Sequence, residues 1–168
     1  MKKLILLLLF IPLVSFGQDE LKLFIKGKNN FEKENYDKAS TYLNNALELN
    51  PSYVDAHFYT GLLNTKLKQY DKAILNYNKV LELDLYNELA YLNRGRINYI
   101  LKNREAAQSD FKNAIEIDSK FIEAYDNLVL VSQSLKDYDT GILAITKLIE
   151  LNPNFRNFFR RGLIKYRM

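Results

Sequence analysis

Tyr36-Asp37-Lys38-Ala39 returns as Tyr70-Asp71-Lys72-Ala73, loosely as Arg104-Glu105-Ala106-Ala107, and again as Tyr138-Asp139-Thr140-Gly141, each step being 34 residues. The same interval relates Ala46-Leu47-Glu48-Leu49-Asn50-Pro51 to Val80-Leu81-Glu82-Leu83-Asp84, to Ala114-Ile115-Glu116-Ile117-Asp118, and to Leu148-Ile149-Glu150-Leu151-Asn152-Pro153. It also relates Gly27, Gly61 and Gly95. A fixed period held without a gap through Pro153 marks a repeat architecture. One supersecondary unit recurs, and neighbours must stack because a single unit cannot bury its own apolar face.

Each unit reads as two amphipathic helices. In the first helices, Ala56, Thr60, Leu63 and Leu67 fall at i, i+4, i+7 and i+11, matched by Ala90, Arg94, Ile97 and Leu101 and by Ala124, Leu128, Val131 and Leu135. In the second helices, Ala73, Tyr77, Val80 and Leu81 are matched by Ala107, Phe111, Ala114 and Ile115. Pro51 and Pro153 stop second helices, and Asn35, Gln69, Asn103 and Asp137 stand where they can cap the helix that follows. The spacing predicts helices near 20–33, 36–49, 53–68, 70–83, 87–102, 104–117, 121–136, 138–151 and 155–166.

These residues resemble the tetratricopeptide repeat family, whose unit is a 34-residue helix-turn-helix. The family pattern reads Gly27, Tyr36, Ala39, Leu43, Ala46 and Pro51 in the first unit, and Gly61, Tyr70, Ala73, Tyr77 and Val80 in the second. The resemblance covers residues 20–154 and divides them into repeats at about 20–53, 54–87, 88–121 and 122–154. It implies an all-α, right-handed α-solenoid of four stacked helix pairs with a concave face that holds a peptide or partner helix.

The fourth unit departs from the pattern at two places, with Val129 for the glycine and Gly141 for the alanine. Gly61 is expected to face Ala73, so Val129 and Gly141 are expected to touch as a volume-conserving swap. Asn30, Asn64, Asn98 and Ser132 stand where the family has an aromatic residue. Each is expected to satisfy nearby backbone, the alternative being a buried polar ladder along the stack in which every amide finds a partner. The segment from Asn154 to Met168 reads as the first helix of a fifth unit, its register slipped by one, and is expected to cap the stack at about 155–166 with a polar, Arg-rich outer face.

Residues 1–17 differ from all that follows. Lys2 and Lys3 precede an apolar run from Leu4 to Val14, and Ser15-Phe16-Gly17 supplies small residues at alternate positions. That is the order of parts in a secretory signal peptide, with cleavage expected before Gln18, a periplasmic or secreted mature chain over 18–168, and no stable membrane anchor after cleavage. The apolar run is shorter than the roughly twenty residues a spanning helix needs. The absence of Cys excludes a disulfide framework and lipid attachment through Cys. The net charge of +4 is unevenly placed: Lys2 and Lys3 lie in the leader and five cations after residue 155, which leaves residues 18–152 at −3. That distribution argues against a nucleic-acid partner.

Nothing in the sequence points to catalysis. His57, the only histidine, occupies a slot filled by Leu23, Tyr91 and Tyr125 elsewhere, and reads as an aromatic-like core residue. No metal-ligand spacing, phosphate loop or nucleophile motif occurs, and no cofactor is implied. Binding is better supported. The family draws its inward surface from first helices, which here implicates Lys28, Phe31, Tyr59, Leu62, Lys66, Asn93, Arg96, Tyr99, Asp126 and Asn127. Aromatics among cations suit a peptide or protein segment with apolar anchors and acidic groups. Arg156, Arg160, Arg161 and Lys165 form a candidate basic docking patch on the last helix. One subclass of the family grips a C-terminal carboxylate through Lys, Asn and Arg at five concave positions, here Phe24, Lys28, Tyr59, Leu89 and Asn93, so that clamp is missing. The alternative reading is a small-molecule or glycan module using the Tyr-rich surface.

Overall fold

A computed structural model describes residues 19–168. The expected signal peptide lies outside them. Among the described residues there are nine helices and no strand. They are α1 (19–32), α2 (Tyr36–Leu49), α3 (Val54–Lys66), α4 (Tyr70–Leu83), α5 (Glu88–Ile100), α6 (Arg104–Ile117), α7 (Ile122–Leu135), α8 (Tyr138–Leu151) and α9 (Phe155–Arg167). None is long and apolar enough to cross a membrane. The chain divides into two compact units, one ending at Asp84 with α1–α4 and one beginning at Leu85 with α5–α9.

First helices end one or two residues before the periodicity expects, for a backbone reason. Glu34, Lys68, Lys102 and Lys136 adopt left-handed backbone, with φ between 58° and 66°. The residue after each then turns its N–H back onto the preceding helix: Asn35 donates to the carbonyl of Asn30, Gln69 to Asn64, Asn103 to Asn98 and Asp137 to Ser132, at 2.8–2.9 Å. This is the six-to-one bond of a Schellman ending, which supplies a carbonyl the helix leaves without a partner. The expectation that all four polar residues cap the following helix by side chain is corrected. Only Asp137 does so, accepting from the N–H of Thr140 at 3.2 Å, whereas Asn35, Gln69 and Asn103 make no side-chain cap. Leu67 and Leu101, expected on the buried stripe, are exposed because the helix has already ended.

In the first unit the core gathers Phe24, Leu43, Ala39, Ala46, Ala56 and Leu63. In the second, Phe111, Ala107, Ala114, Leu128, Val129, Val131, Ile145 and Ile164 pack together. Burying each of the larger side chains stabilises the fold by roughly 1.5–3 kcal/mol. The glycines set how closely the helices of a pair approach. A Cβ on Gly61 would lie 2.7 Å from the Tyr77 ring, one on Gly95 2.7 Å from the Phe111 ring, and one on Gly27 2.8 Å from Leu43 Cγ. Gly61 therefore faces Tyr77, not Ala73.

The same geometry corrects the expected touch between Val129 and Gly141. The nearest neighbours of a Cβ at Gly141 would be Ser132 and Ile164. The register of the repeat sets Val129 against Ile145 instead, both fully buried in one core. A larger residue on the first helix thus accompanies a smaller one on the second, conserving the volume between them.

Candidate functional site

In the first unit the structure brings Lys28, Phe31 and Tyr59 together. Tyr59, on α3, makes near-perpendicular ring pairs with Phe24 and Phe31 of α1, at 5.4 and 5.9 Å between centroids. Edge-to-face pairs of this kind add about 0.5–1.5 kcal/mol beyond the area they bury. The Lys28 ammonium lies 5.5 Å above the Tyr59 ring, a cation held by the ring's negative face. Leu62, half-buried, and Lys66, exposed, complete the α3 side. Tyr53 packs on Phe24 at 5.2 Å, and its hydroxyl pKa is raised by burial, with Asp55 and Glu20 adding to the shift. The face is an aromatic platform with the Lys28 ammonium over it and Lys66 exposed further along α3.

In the second unit the corresponding positions are occupied with one another. Arg96 of α5 bonds Glu123 of α7 at 2.7 Å, and Asp126 of α7 pairs with Arg160 of α9. Asn93 donates to its own helix at Leu89 and Asn127 to Glu123, at 2.8 and 2.7 Å. These ion pairs tie consecutive first helices, so four of the five expected binding residues in this unit already have partners. Tyr99 is exposed. Arg160, expected in the docking patch, has a side chain only 14% exposed and paired with Asp126. Arg156 and Lys165 are exposed, and the Arg161 guanidinium lies 5.6 Å over the Phe158 ring.

The second unit holds a buried polar cluster whose carboxylate and ion pair the sequence reading missed. Asp110, 3% exposed, accepts from Arg94 Nη2 at 2.6 Å, from Arg94 Nε at 3.1 and 3.2 Å, and from Asn98 Nδ2 at 3.0 Å. Asn98 therefore serves a carboxylate, against the expectation that it satisfies backbone. Asn30 does meet that expectation, donating to the carbonyl of Lys26 at 2.8 Å. The signal was available in Arg94, a cation placed on an otherwise apolar stripe. Ser132 accepts from Gln108, which also donates to Asp137 at 2.8 Å. The Asp137 pKa is lowered chiefly by its side-chain bond with Thr140, helped by Gln108.

His57 is half-buried, and it is not the purely packed residue its slot suggests. Its ring nitrogens lie 2.8 Å from the carbonyl of Pro51 and 3.3 Å from Asn76 Oδ1, so it bridges a loop to α4. Tyr125, at the equivalent place two repeats on, is buried, and burial raises its pKa.

The sequence matches family models described as tetratricopeptide repeat over residues 26–88, 89–121 and 122–155. The chain belongs to the tetratricopeptide repeat family. Among solved tetratricopeptide structures it is similar to the MamA protein, with a TM-score of 0.82 at 25% identity over 89% of this chain and 82% of that one. It is similar to the first tetratricopeptide domain of Spaghetti (RPAP3), solved with the HSP90 peptide SRMEEVD, with a TM-score of 0.69 at 25% identity over 71% and 94%. YrrB, described as having an unusual peptide-binding site, shares the fold with a TM-score of 0.80 at 17% identity over 90% and 78%. A search of curated proteins finds no match.

Proposed function

We propose that this tetratricopeptide protein is an extracytoplasmic scaffold that holds a segment of a partner protein on the first-helix face of its first unit. The observation that carries the reading is the Tyr59 platform, where Lys28 stands over a ring braced by Phe24 and Phe31. Such a surface offers a rigid aromatic anchor beside cations, which suits a peptide or helix with an apolar residue next to a carboxylate. The Spaghetti domain supports peptide binding as the use of this fold, since it was solved with a peptide that contains two glutamates and an aspartate. The five-position carboxylate clamp is missing here, so the ligand is held through its side chains. The second unit's ion pairs link its consecutive first helices, and Tyr99 is an exposed aromatic on that face.

The setting rests on the order of charge, apolar run and small residues in positions 1–17. Mass spectrometry of the protein recovered from its native envelope is expected to find Gln18 as the first residue, and a chain that keeps its leader overturns the proposed setting. Crosslinking and affinity purification with the chain tagged after Met168 is expected to capture a partner that Lys28→Glu with Lys66→Glu loses. A partner indifferent to those reversals removes the first unit's face from consideration.

A further inference from the structure

The outward face of α9 is made of side chains that a surface helix ordinarily buries. Asn157 and Ile164 point into the second unit, and Arg160 is held by Asp126. On the opposite side Phe155, Phe159, Leu163 and Tyr166 recur at helical spacing, with Phe155 84% and Tyr166 90% exposed. Phe155 and Phe159 stack on each other at 6.3 Å. The polar outer face expected of a terminal cap is therefore replaced by an aromatic one, the kind of surface that marks an interaction site.

Gly162 sits in the middle of this face, and beyond its chain neighbours and its own helix backbone no atom lies within 4 Å of where its Cβ would be. Gly27, Gly61 and Gly95 hold the same place on their helices, and each is filled by a bulky side chain from a second helix: Leu43, Tyr77 and Phe111. Among the described residues, α9 thus has a first helix's notch with no second helix in it. Arg156, Arg161, Lys165 and Arg167 flank the face, and residues 153–168 contain no acid.

We propose that α9 docks an acidic amphipathic helix of a partner protein, which inserts a Leu, Tyr or Phe at Gly162 and sets carboxylates against the flanking cations. Helix-in-groove recognition requires this combination of a shaped apolar seat and a charged rim. Two copies of α9 facing each other would oppose like charges along both flanks. A lipid surface would use the aromatics and cations but has no need of the notch. The site is separate from the Tyr59 platform, so either proposal can fail without the other.

The test is fluorescence anisotropy with the full chain and a labelled peptide of residues 104–117 carrying Arg104→Glu and Lys112→Glu, which keeps Phe111 as the anchor. A second probe carries Phe111→Leu. In a chain that carries Lys28→Glu and Lys66→Glu, so that the Tyr59 platform does not compete for the probe, saturable binding is expected, weakened at least about tenfold by Gly162→Leu, by Phe159→Asp and by raising salt. Gly162→Leu enters open space, so circular dichroism should show an intact fold. The proposal is overturned if neither probe binds, if Gly162→Leu leaves binding unchanged, or if the face instead mediates dimerisation in sedimentation or binding to phosphatidylglycerol vesicles without taking the peptides.

Discussion

Replacing Asp110 by Ala should destabilise the second unit more than its small change in volume implies. The carboxylate is 3% exposed and takes hydrogen bonds from Arg94 and from the buried Asn98 amide. Removing it leaves the Asn98 donor buried without that acceptor, at about 1–3 kcal/mol. Breaking a fully buried ion pair costs about 3–5 kcal/mol, but the Arg94 side chain is 22% exposed and can turn toward water, which lowers the figure. The combined loss is therefore about 3 kcal/mol, or roughly 6–12 °C in Tm for a chain of this size. The next repeat contains its own apolar solution, with Leu128, Ser132 and Ala144 at the places of Arg94, Asn98 and Asp110. Arg94→Leu with Asn98→Ser and Asp110→Ala should thus return to within about 1 kcal/mol of the wild type, because an apolar replacement of a buried pair is often neutral. Calorimetry and urea unfolding read both variants. A single variant within about 0.5 kcal/mol of wild type, or a triple variant no better than the single, would refute the reasoning.

Gly95→Ala should cost about 1–3 kcal/mol, because its Cβ would meet the Phe111 ring at 2.7 Å, whereas Gly162→Ala should gain about 0.5–1 kcal/mol by helix propensity alone; thermal melts compare the two. Lys102→Gly should be neutral to stabilising by about 0.5 kcal/mol, since φ is 66°, and Lys102→Val should lose more than about 1 kcal/mol in the same assay. Asp137→Ala should lose about 1 kcal/mol at neutral pH by removing the cap of α8. The folded state lowers the Asp137 pKa from its ordinary 3.8, so its contribution is full above that value and fades as pH falls through the lower folded pKa. Urea midpoints of wild type and variant should therefore converge in strong acid and stay apart at pH 5–7.

The helices were legible because their apolar spacing repeats, and the two-helix unit followed from where Gly, Ala and Pro recur. Their ends were less legible, since the turn is made by Glu34, Lys68, Lys102 and Lys136 in a conformation that residue type does not advertise. Half of the candidate site shared that fate. Lys28, Phe31 and Tyr59 converge because they sit on facing first helices, which the register alone places. Arg96 and Asp126 look identical to free surface charges in sequence, and only the neighbouring helix reveals that Glu123 and Arg160 already occupy them. Asp110 was hidden for a related reason: a carboxylate on a second helix reads as solvated until its partner Arg94 is seen across the pair.

The small residues are legible as a pattern and misleading as pairs. Counting along the chain suggests that Gly61 meets the alanine twelve residues on, but antiparallel helices joined by a short turn bring it to Tyr77, sixteen on. The four units then obey one rule of complementary size: Gly with Leu43, Gly with Tyr77, Gly with Phe111, and Val129 where the register supplies Ile145. Close packing enforces this, because a cavity or an overlap of even a methyl group between paired helices is felt at once. A first-helix glycine in this chain is therefore a statement about the size of what lies across from it. Gly162 has nothing there, while aromatic side chains surround it in the open. By the rule the other repeats follow, the side chain that fits this notch is a large apolar one, and the cations beside it favour an acidic helix as its carrier.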